Sequence, residues 1–245
     1  MSSTKIQQQI AEKKLQKKNK PLNKNKTYII IPGLNEAKHI ASVVERTKKQ
    51  GFENVVFVDD GSCDESSINA KRAGAIVLKH IVNMGKGAAA KTGCDYALKQ
   101  GAEILILMDA DGQHKPEDLN KFLKKIKTND IVFGYRTLNK NMPLIMRMGN
   151  QGINILSQII NGISLRDTQS GFRCMTTNTY KKVRWYSNNY SMESEMISNV
   201  AKHKLKFEEI PIETIYLDNY KGTTILDGLK IFINMLKFKM TRVKK

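Results

Sequence analysis

Short apolar stretches alternate with longer amphipathic stretches along the chain from about residue 27. Five apolar stretches have the length and the β-branched or leucine-rich content of strands buried on both faces: TYIIIP, NVVFVDD, AIVLKH, EILILMDAD and DIVFGY. The stretches between them have helical spacing, and several end at glycine, a common helix terminator: EAKHIASVVERTKKQG, ESSINAKRAG, GAAAKTGCDYALKQG and KPEDLNKFLKKIKTN. The alternation predicts an α/β fold, with a Rossmann-like, doubly wound, mostly parallel sheet and helices on both faces.

The same pattern divides the chain into three segments. Residues 1–26 hold eight lysines against one acid, Glu12, and few large apolar groups, so we expect a basic, disordered tail. Residues 27–221 are predicted to form one globular domain, although the regular alternation stops after Pro143. Residues 222–245 include LKIFINMLKFKMTRVKK, which mixes apolar and basic residues without an acid. This last segment predicts a basic amphipathic helix suited to a membrane interface.

The chain of 245 residues is strongly basic, with a formal net charge of +18. Nucleic acid, phosphorylated substrates and acidic membrane surfaces are all partners that such a charge favours. The three cysteines are widely spaced and form no CxxC, so we expect neither a disulfide framework nor a zinc site, and a reducing cytosol. We also expect that the chain does not cross a membrane by itself, because it has neither an apolar run of roughly 20 residues nor a signal peptide.

Polar and acidic residues follow three of the predicted strands at the point where each strand ends. They are Pro32, Asn35 and Glu36 after the first strand, Asp59 and Asp60 after the second, and Asp109, Asp111 and Gln113 after the fourth. Open parallel sheets bind ligands beyond the carboxyl ends of their strands, so these side chains should share one edge. Crowded carboxylates there need a compensating cation or hydrogen-bond donors. Mg²⁺ or Mn²⁺ fits, because these ions take carboxylate and phosphate oxygens.

Other interpretations of these motifs are possible. DADGQHKPEDL resembles a calcium loop, but Gly112 is at its fourth position instead of the sixth, and a strand precedes it. Asp109 and Asp111 could instead cap the helix that starts near Pro116, as an isolated D-x-D often would. MGKGAAAKTG nearly spells a phosphate-binding P-loop but lacks the glycine that this motif needs before its lysine. Lys86, between two glycines at a helix start, is nevertheless placed to contact a diphosphate.

Five motifs in order resemble family 2 glycosyltransferases of the GT-A fold, especially the dolichyl- or polyprenyl-phosphate sugar synthases. The motifs are IIIPGLNE, VFVDDGSCDES, NMGKGAAAKTG, LMDADGQHKPEDL and RDTQSGFRCM. The resemblance extends from about Tyr28 to Lys221. Leu34 departs from it, because many relatives carry an aromatic residue there, and the transmembrane hairpins that some relatives append are absent.

The resemblance implies roles for individual residues in a donor site. Asp111 and Arg136 are implied to be catalytic, together with Asp167. The residues implied to bind the nucleotide sugar are Pro32, Leu34, Glu36, Val58, Asp60, Lys86, Asp109, Ala110, Asp111 and Arg136. The residues implied to hold the metal are Asp109, Asp111 and Gln113.

The acceptor side is expected to be rich in arginine, because guanidinium groups bind phosphate oxygens in two-pronged fashion. Arg147, Arg166 and Arg173 are the candidates for an acceptor phosphate, although each could equally be solvated or paired with a carboxylate. Asp167 is the candidate base for a hydroxyl acceptor. A phosphate monoester needs no base at pH 7, so with that acceptor we expect Asp167 to orient Arg166, Arg173 or the acceptor itself. Glu195 is predicted to lie near the sugar or at the surface.

Together with these residues, the resemblance implies an inverting transferase that moves a sugar from GDP-mannose, UDP-glucose or UDP-GlcNAc to a dolichyl or polyprenyl phosphate, with Mg²⁺ or Mn²⁺. The expected location is peripheral, on an anionic membrane surface at the cytoplasmic face, alone or with a separate membrane partner. One alternative is a family member that glycosylates a glycan, glycolipid or protein hydroxyl. The other is a nucleic-acid-binding protein, but the chain carries no RNA-binding signature, so we expect no nucleic-acid partner.

Overall fold

The computed structural model describes residues 24–137, 152, 154–155 and 157–215. Arg147, most of the predicted tail and the predicted helix at 222–245 lie outside this part of the chain. Lys24–Lys26, which the sequence assigns to the tail, instead form one turn of 3-10 helix directly before the first strand. The Lys24 ammonium donates to the carbonyl of Gln50 at 2.7 Å, so this end of the tail is bound to the folded domain.

The described residues form seven strands and six α-helices with defined bounds, in the alternating order that the sequence predicts for the first half of the chain; residues 152, 154–155 and 157–161 are helical as well. The strands are β1 (Thr27–Gly33), β2 (Asn54–Asp59), β3 (Ile76–Lys79), β4 (Ile104–Leu107), β5 (Ile131–Arg136), β6 (Arg173–Thr176) and β7 (Phe207–Ile212). The helices are α1 (Ile40–Lys49), α2 (Ser66–Arg72), α3 (Lys86–Lys99), α4 (Leu119–Ile126), α5 (Thr177–Val183) and α6 (Met192–Lys202). A second 3-10 turn, Pro116–Asp118, precedes α4.

All seven strands belong to one sheet, in the order β3-β2-β1-β4-β6-β5-β7. The pairs β1–β2, β1–β4, β2–β3 and β5–β7 are parallel, which confirms the mostly parallel, doubly wound sheet. β6 is the exception, since it runs antiparallel to both β4 and β5. Its first residue, Arg173, therefore pairs with Leu107 at the carboxyl end of β4. The loop before β6 thus reaches the same edge as the ends of the parallel strands.

Helices cover both faces of the sheet, because side chains of a strand alternate between faces. Ile30 of β1 belongs to a core cluster with α3, α5 and α6, whereas Ile29 and Ile31 belong to a second cluster with α1, α2 and α4. All three isoleucines are completely buried. Strands that are apolar on both faces are therefore sandwiched between two helical layers, as the continuous apolar runs predict.

Helix α3 approaches the sheet closely at Gly93. A Cβ atom at this position would lie 2.5 Å from Cγ2 of Ile30 and 2.9 Å from Cγ2 of Val58. Only glycine fits between the helix and the two strands without displacing side chains. This contact fixes the position of α3, whose first residue is Lys86.

Arg173 is completely buried, although a charged side chain is rarely found in a protein core. Its guanidinium donates to the carbonyls of Thr168 at 2.8 Å, Ser170 at 2.9 Å and Glu193 at 3.0 Å. It also lies 5.3 Å from the centre of the Phe133 ring. The side chain therefore connects the loop before β6 with the start of α6. This placement corrects the expectation that Arg173 binds an acceptor phosphate, since its donors are already used inside the protein.

We predict that Gly93→Ala lowers the free energy of unfolding by about 1–3 kcal/mol, the usual cost of overpacking a core. Gly152→Ala is a matched control, because residue 152 is also helical and a Cβ there meets nothing within 4 Å. Alanine has the higher helix propensity, so the control should be neutral or slightly stabilising. Urea denaturation of both variants provides the comparison. Equal stability of the two would contradict the close approach of α3.

A second prediction is that Arg173→Met destabilises the fold by about 3 kcal/mol or more, because it leaves buried carbonyl groups without their donor. Arg166→Met is the control, since that side chain is exposed and, within the described part of the chain, donates a single hydrogen bond, to Tyr135. The control should change the free energy of unfolding by less than about 1 kcal/mol. Denaturation curves at neutral pH distinguish the two. A tolerated Arg173→Met would remove the structural role that we assign to this arginine.

Candidate functional site

The site lies at the carboxyl edge of β1, β2 and β4. The register Gly33↔Asp59 and Ile30↔Leu107 brings the ends of these three strands side by side. The residues that follow them therefore meet at one edge, as the sequence predicts. Asp109 and Asp111 follow β4 in the turn that leads to the 3-10 helix before α4.

Asp109 forms an ion pair with Lys86 at the start of α3, with 2.7 Å between Oδ1 and Nζ. Burial opposes ionisation of Asp109, but the ion pair and hydrogen bond with Lys86, together with the charge of Arg136, lower its pKa to about 2. A Cβ on Gly171 would lie 2.6 Å from Oδ1, so the loop before β6 also presses against this carboxylate. Asp109 is thus ionised and held from two sides.

Asp111 has a raised pKa, because it is largely buried and because Asp109 carries a negative charge nearby. Its Oδ1 accepts the backbone N–H of Gln113 at 3.0 Å, and the Gln113 carbonyl accepts from Ile215 at 3.0 Å. The two carboxylates therefore oppose each other's charge. A divalent cation between them would relieve that repulsion, and their all-oxygen donor set suits Mg²⁺ or Mn²⁺.

Within the described part of the chain, no three His, Cys, Asp or Glu side chains are grouped so that they alone could hold a metal ion. A cation at this edge would need oxygen ligands beyond Asp109 and Asp111. The amide of Gln113 and the phosphates of a ligand are the candidates. Mg²⁺ sites that combine one or two carboxylates with substrate phosphates have this composition.

Glu193 is a site residue that the sequence analysis missed. Its side chain is buried, and Oε1 lies 3.3 Å from Nζ of Lys86. Oε2 is also buried and has no hydrogen-bond partner in the structure. Burial would lower the pKa of Lys86, but Asp109 and Glu193 raise it above its ordinary value, so this ammonium stays charged. Lys86 therefore joins the end of β4 to the start of α6.

The sequence SMESEM contains two glutamates, Glu193 and Glu195, and either could have been the site residue. The sequence favoured Glu195, whose carboxylate instead accepts the backbone N–H groups of Tyr186 and Ser187 at 2.9 and 3.0 Å. Glu195 thus orders the loop before α6. Two residues apart on a helix, the glutamates lie on different sides, and the sequence cannot say which one faces Lys86.

Asp167 and Arg136 form a bidentate ion pair, with 2.7 Å from Nε to Oδ2 and 3.1 Å from Nη2 to Oδ1. The Asp167 carboxylate also accepts the backbone N–H groups of Arg136 and Gln169, both at 3.2 Å. Burial would raise the pKa of Asp167, but Arg136 and these hydrogen bonds lower it. Asp167 therefore orients Arg136, and not Arg166 or Arg173 as the sequence suggested.

Arg166 is exposed beside this pair. Its guanidinium lies 4.7 Å from the centre of the Tyr135 ring, and Nη1 donates to the Tyr135 hydroxyl at 2.7 Å. Its backbone N–H donates to Glu209 at 2.7 Å. The side chain is accessible to a ligand, which distinguishes it from the buried Arg173.

The residues expected to hold a nucleoside separate into two groups. Leu34 and Glu36 are partly exposed in the loop after β1, where a ligand can reach them. Pro32, Val58 and Ala110 are buried, and Val58 packs toward Gly93 in the core.

Asp60 is also buried, and its carboxylate accepts from the backbone N–H groups of Met84 and Gly85 at 3.0 and 2.8 Å and contacts His80 at 2.7 Å. In this structure Asp60 therefore holds the loop that leads to Lys86. Its expected contact with the nucleoside stays a prediction.

His114 lies behind Asp109 and is buried. Its ring stacks on Phe172 with 4.9 Å between centroids, and Nδ1 accepts the backbone N–H of Asp109 at 3.2 Å. Burial lowers the pKa of this imidazole. A neutral His114 that accepts at Nδ1 supports the Asp109 backbone, so His114 is a positioning residue.

Solved structures share this fold at low sequence identity. Glucosyl-3-phosphoglycerate synthase from Mycobacterium tuberculosis, in complex with Mg²⁺ and uridine diphosphate, matches with a TM-score of 0.70 at 16% identity, over 87% of this chain and 78% of that one. This similarity supports the GT-A architecture. None of the helices in the ranges described above has the length and apolar character needed to span a bilayer.

Relatives in sequence are closer. An uncharacterised protein of Methanocaldococcus jannaschii is 38% identical over 89% of this chain and 94% of its own length. A protein of Methanococcus voltae named UDP-N-acetylglucosamine–dolichyl-phosphate N-acetylglucosaminyltransferase is 34% identical over 88% of this chain and 97% of its own length. The sequence profile described as Glycosyl transferase family 2 matches residues 28–183. The chain is therefore a glycosyltransferase and belongs to glycosyl transferase family 2.

Proposed function

We propose that the chain transfers a sugar from a nucleotide-sugar donor, such as GDP-mannose, UDP-glucose or UDP-GlcNAc, to a dolichyl or polyprenyl phosphate, with inversion at the sugar. The observation that carries this proposal is the meeting of Asp109, Asp111, Lys86 and Arg136 at one edge of the sheet. The carboxylates of Asp109 and Asp111 are suited to bind a metal cation. The positively charged side chains of Lys86 and Arg136 are suited to bind phosphate oxygens. The similarity to the Methanococcus voltae protein supports the choice of acceptor.

On the donor side, Asp109 and Asp111 would hold Mg²⁺ or Mn²⁺, with the amide oxygen of Gln113 as a further ligand. The bound ion would supply Lewis-acid stabilisation of the charge that builds on the departing diphosphate. Lys86 adds a second positive charge there, because its ammonium is protonated and kept in place by Glu193. Leu34 and Glu36 line the accessible loop where the nucleoside would bind.

In the transfer step, an oxygen of the acceptor phosphate forms a bond to the anomeric carbon while the bond from that carbon to the diphosphate breaks. The nucleoside diphosphate leaves with the electron pair. A phosphate monoester has its second pKa near 6, so the attacking oxygen is already largely ionised at pH 7 and no base is needed. Arg136, oriented by Asp167, and the accessible Arg166 are the groups that we propose to bind the acceptor phosphate.

We further propose that the enzyme acts at the cytoplasmic face of a membrane as a peripheral protein. The basic residues of 1–26 and the apolar, basic segment 222–245 motivate this, because each lysine near an anionic leaflet contributes on the order of 1 kcal/mol. Both segments lie mainly outside the described residues, so their role remains a prediction from sequence.

The proposal is tested with a panel of GDP- and UDP-sugars, a short polyprenyl phosphate and Mg²⁺ or Mn²⁺. We expect one donor to give a glycosylated lipid phosphate that mass spectrometry identifies, and we expect EDTA to abolish the product. Asp111→Asn should lower the single-turnover rate by about 100-fold or more, because it removes a charged ligand where charge develops in the transition state.

Glu53→Gln is the control for Asp111→Asn. Glu53 is exposed, pairs with Lys48 at 3.2 Å and precedes β2 at the opposite edge of the sheet. This acid-to-amide change should leave the rate unchanged. Full turnover by folded Asp111→Asn, or by the EDTA-treated enzyme, would refute the metal assignment.

Asp167→Asn should reduce the rate by roughly 10-fold or less, against the 10²–10⁴-fold that is typical of losing a general base. Asparagine still accepts one bond from Arg136 but loses the bidentate pair. The pKa of Asp167 is below its ordinary value, so the wild-type carboxylate is ionised throughout pH 6–8 and should contribute no titration to the rate there.

Single-turnover rates of wild type, Asp167→Asn and Arg136→Met across pH 6–8 provide the measurement. Arg136→Met should be the more damaging change, because it removes the phosphate-binding group itself. If Asp167→Asn is as inactive as Asp111→Asn, the acceptor is a hydroxyl, as on a glycan, glycolipid or protein, and not a lipid phosphate.

A further inference from the structure

Five exposed apolar side chains lie in two short segments beside the site. They are Ile81 (99% exposed), Val82 (64%), Met84 (51%), Tyr186 (85%) and Tyr190 (58%), and we call them the apolar patch. Among the described residues, only three other large apolar side chains are comparably exposed: Ile68, Ile155 and Ile159. Scattered apolar residues on a surface need no explanation, but a cluster next to a site indicates a binding surface.

The backbone just after Met84 contacts the backbone between Tyr186 and Tyr190, which brings the two segments of the apolar patch near each other. The N–H of Gly87 donates to the carbonyl of Asn188 at 2.8 Å, and a Cβ on Gly85 would lie 2.3 Å from that same oxygen. The Tyr190 ring centre is 5.7 Å from Nζ of Lys86. The patch therefore borders the ammonium that pairs with Asp109 and Glu193, at the mouth of the proposed donor site.

The loop that carries Ile81 and Val82 is held firmly in place. The N–H of His80 donates to the carbonyl of Asp59 at 2.8 Å, and Asp60 accepts from Met84 and Gly85. A Cβ on Gly61 would lie 2.8 Å from the backbone of Val82. The exposure of the isoleucine and valine is thus imposed by a well-anchored loop. Removing each of these side chains from water is favourable.

The charge around the apolar patch is positive. Residues 79–91 and 181–191 contain six lysines and arginines and no aspartate or glutamate. Ion pairs with acidic residues offset three of the six: Lys79 with Asp59, Lys86 with Asp109 and Arg184 with Asp95. The other three are Lys91, Lys181 and Lys182. A surface that is apolar at its centre and basic around it matches the interface of an anionic bilayer, where acyl chains lie beneath negative headgroups.

We infer that the apolar patch docks the enzyme on an anionic lipid bilayer. Three other occupants of this surface are less suitable: the segment 222–245, a second copy of the chain and nucleic acid. The segment 222–245 carries six basic residues and one acid, and a second copy of the chain carries +18, so both would be repelled by the basic surround. Nucleic acid is anionic, but it would leave the aliphatic side chains of Ile81 and Val82 without apolar contacts.

Docking at this surface orients the site toward the membrane. The mouth of the site, beside Lys86, would then lie at the depth of the lipid headgroups, where the phosphate of a lipid acceptor lies. This consequence rests on the proposed function, whereas the docking itself does not. The inference also differs from attachment through residues 222–245, because it assigns contact to side chains of the catalytic domain.

Vesicles without any acceptor lipid test the docking separately from the reaction. We expect wild type to sediment with phosphatidylcholine vesicles that contain phosphatidylglycerol, more weakly at high salt, and to bind pure phosphatidylcholine poorly. Ile81→Ser combined with Val82→Ser should lower the partition coefficient by about 10-fold or more, from the lost apolar burial. Ile68→Ser is the matched control, since Ile68 is 49% exposed on α2 and lies outside the patch, and it should bind as wild type does.

A fluorescent label distinguishes docking through the apolar patch from attachment through another segment. In a Cys63→Ser background, which removes the exposed thiol, Ile81→Cys and Ile68→Cys each carry an environment-sensitive dye. Anionic vesicles should shift the emission of the dye at 81 to shorter wavelength and leave the dye at 68 unchanged. Sedimentation without a shift at 81, unchanged partition of the double serine variant, or no vesicle binding by wild type would each overturn the inference.

The same double variant should still transfer sugar to a short, water-soluble acceptor at the wild-type rate. If neither the wild type nor the double variant transfers sugar, the proposed function is refuted and the vesicle result is unaffected. Loss of transfer only in the variant would show that these residues act in the site itself and not in membrane docking, and so would also overturn the inference.

Discussion

The pairing of Lys86 with the partly buried Asp109 and the buried Glu193 is the interaction on which the site depends. Asp109 follows β4, Glu193 begins α6 and Lys86 begins α3, so one ammonium holds three elements together. A buried charge network of this kind is not needed for stability, because an apolar core of equal volume usually serves as well. Its value is in keeping a carboxylate ionised, as the low pKa of Asp109 shows, at a point where a cation and phosphates are expected.

The close contacts around this network explain several small residues. Gly93 lets α3 approach β1 and β2, which sets the position of Lys86, and Gly171 lets the loop before β6 reach Asp109. His114, stacked on Phe172, supports the Asp109 backbone from behind. Preorganisation of this kind matters in catalysis, since groups that are already oriented need no rearrangement as charge develops.

The antiparallel strand β6 determines what lies opposite the carboxylates. Because its first residue pairs with the last residue of β4, the preceding loop crosses the carboxyl edge of the sheet and brings Asp167 to Arg136 at the end of β5. Arg173 then fixes this loop from inside by binding its carbonyl groups. Three arginines that look alike in sequence thus differ: Arg173 is structural, Arg136 is oriented by a carboxylate, and Arg166 is accessible.

The sequence alone determined the alternating α/β architecture, the edge where the site lies and the D-x-D at its centre. The continuous apolar run of β1 and the placement of Asp109 directly after a buried strand are local properties, so they can be read from the sequence. Contacts between distant segments cannot. Which glutamate of SMESEM faces Lys86, why Asp60 holds the 83–85 loop and why Arg173 is buried depend on how α6, β6 and the loop before α3 pack together. Only the tertiary structure decided these, because a side chain's role depends on which donors and acceptors the fold places within its reach.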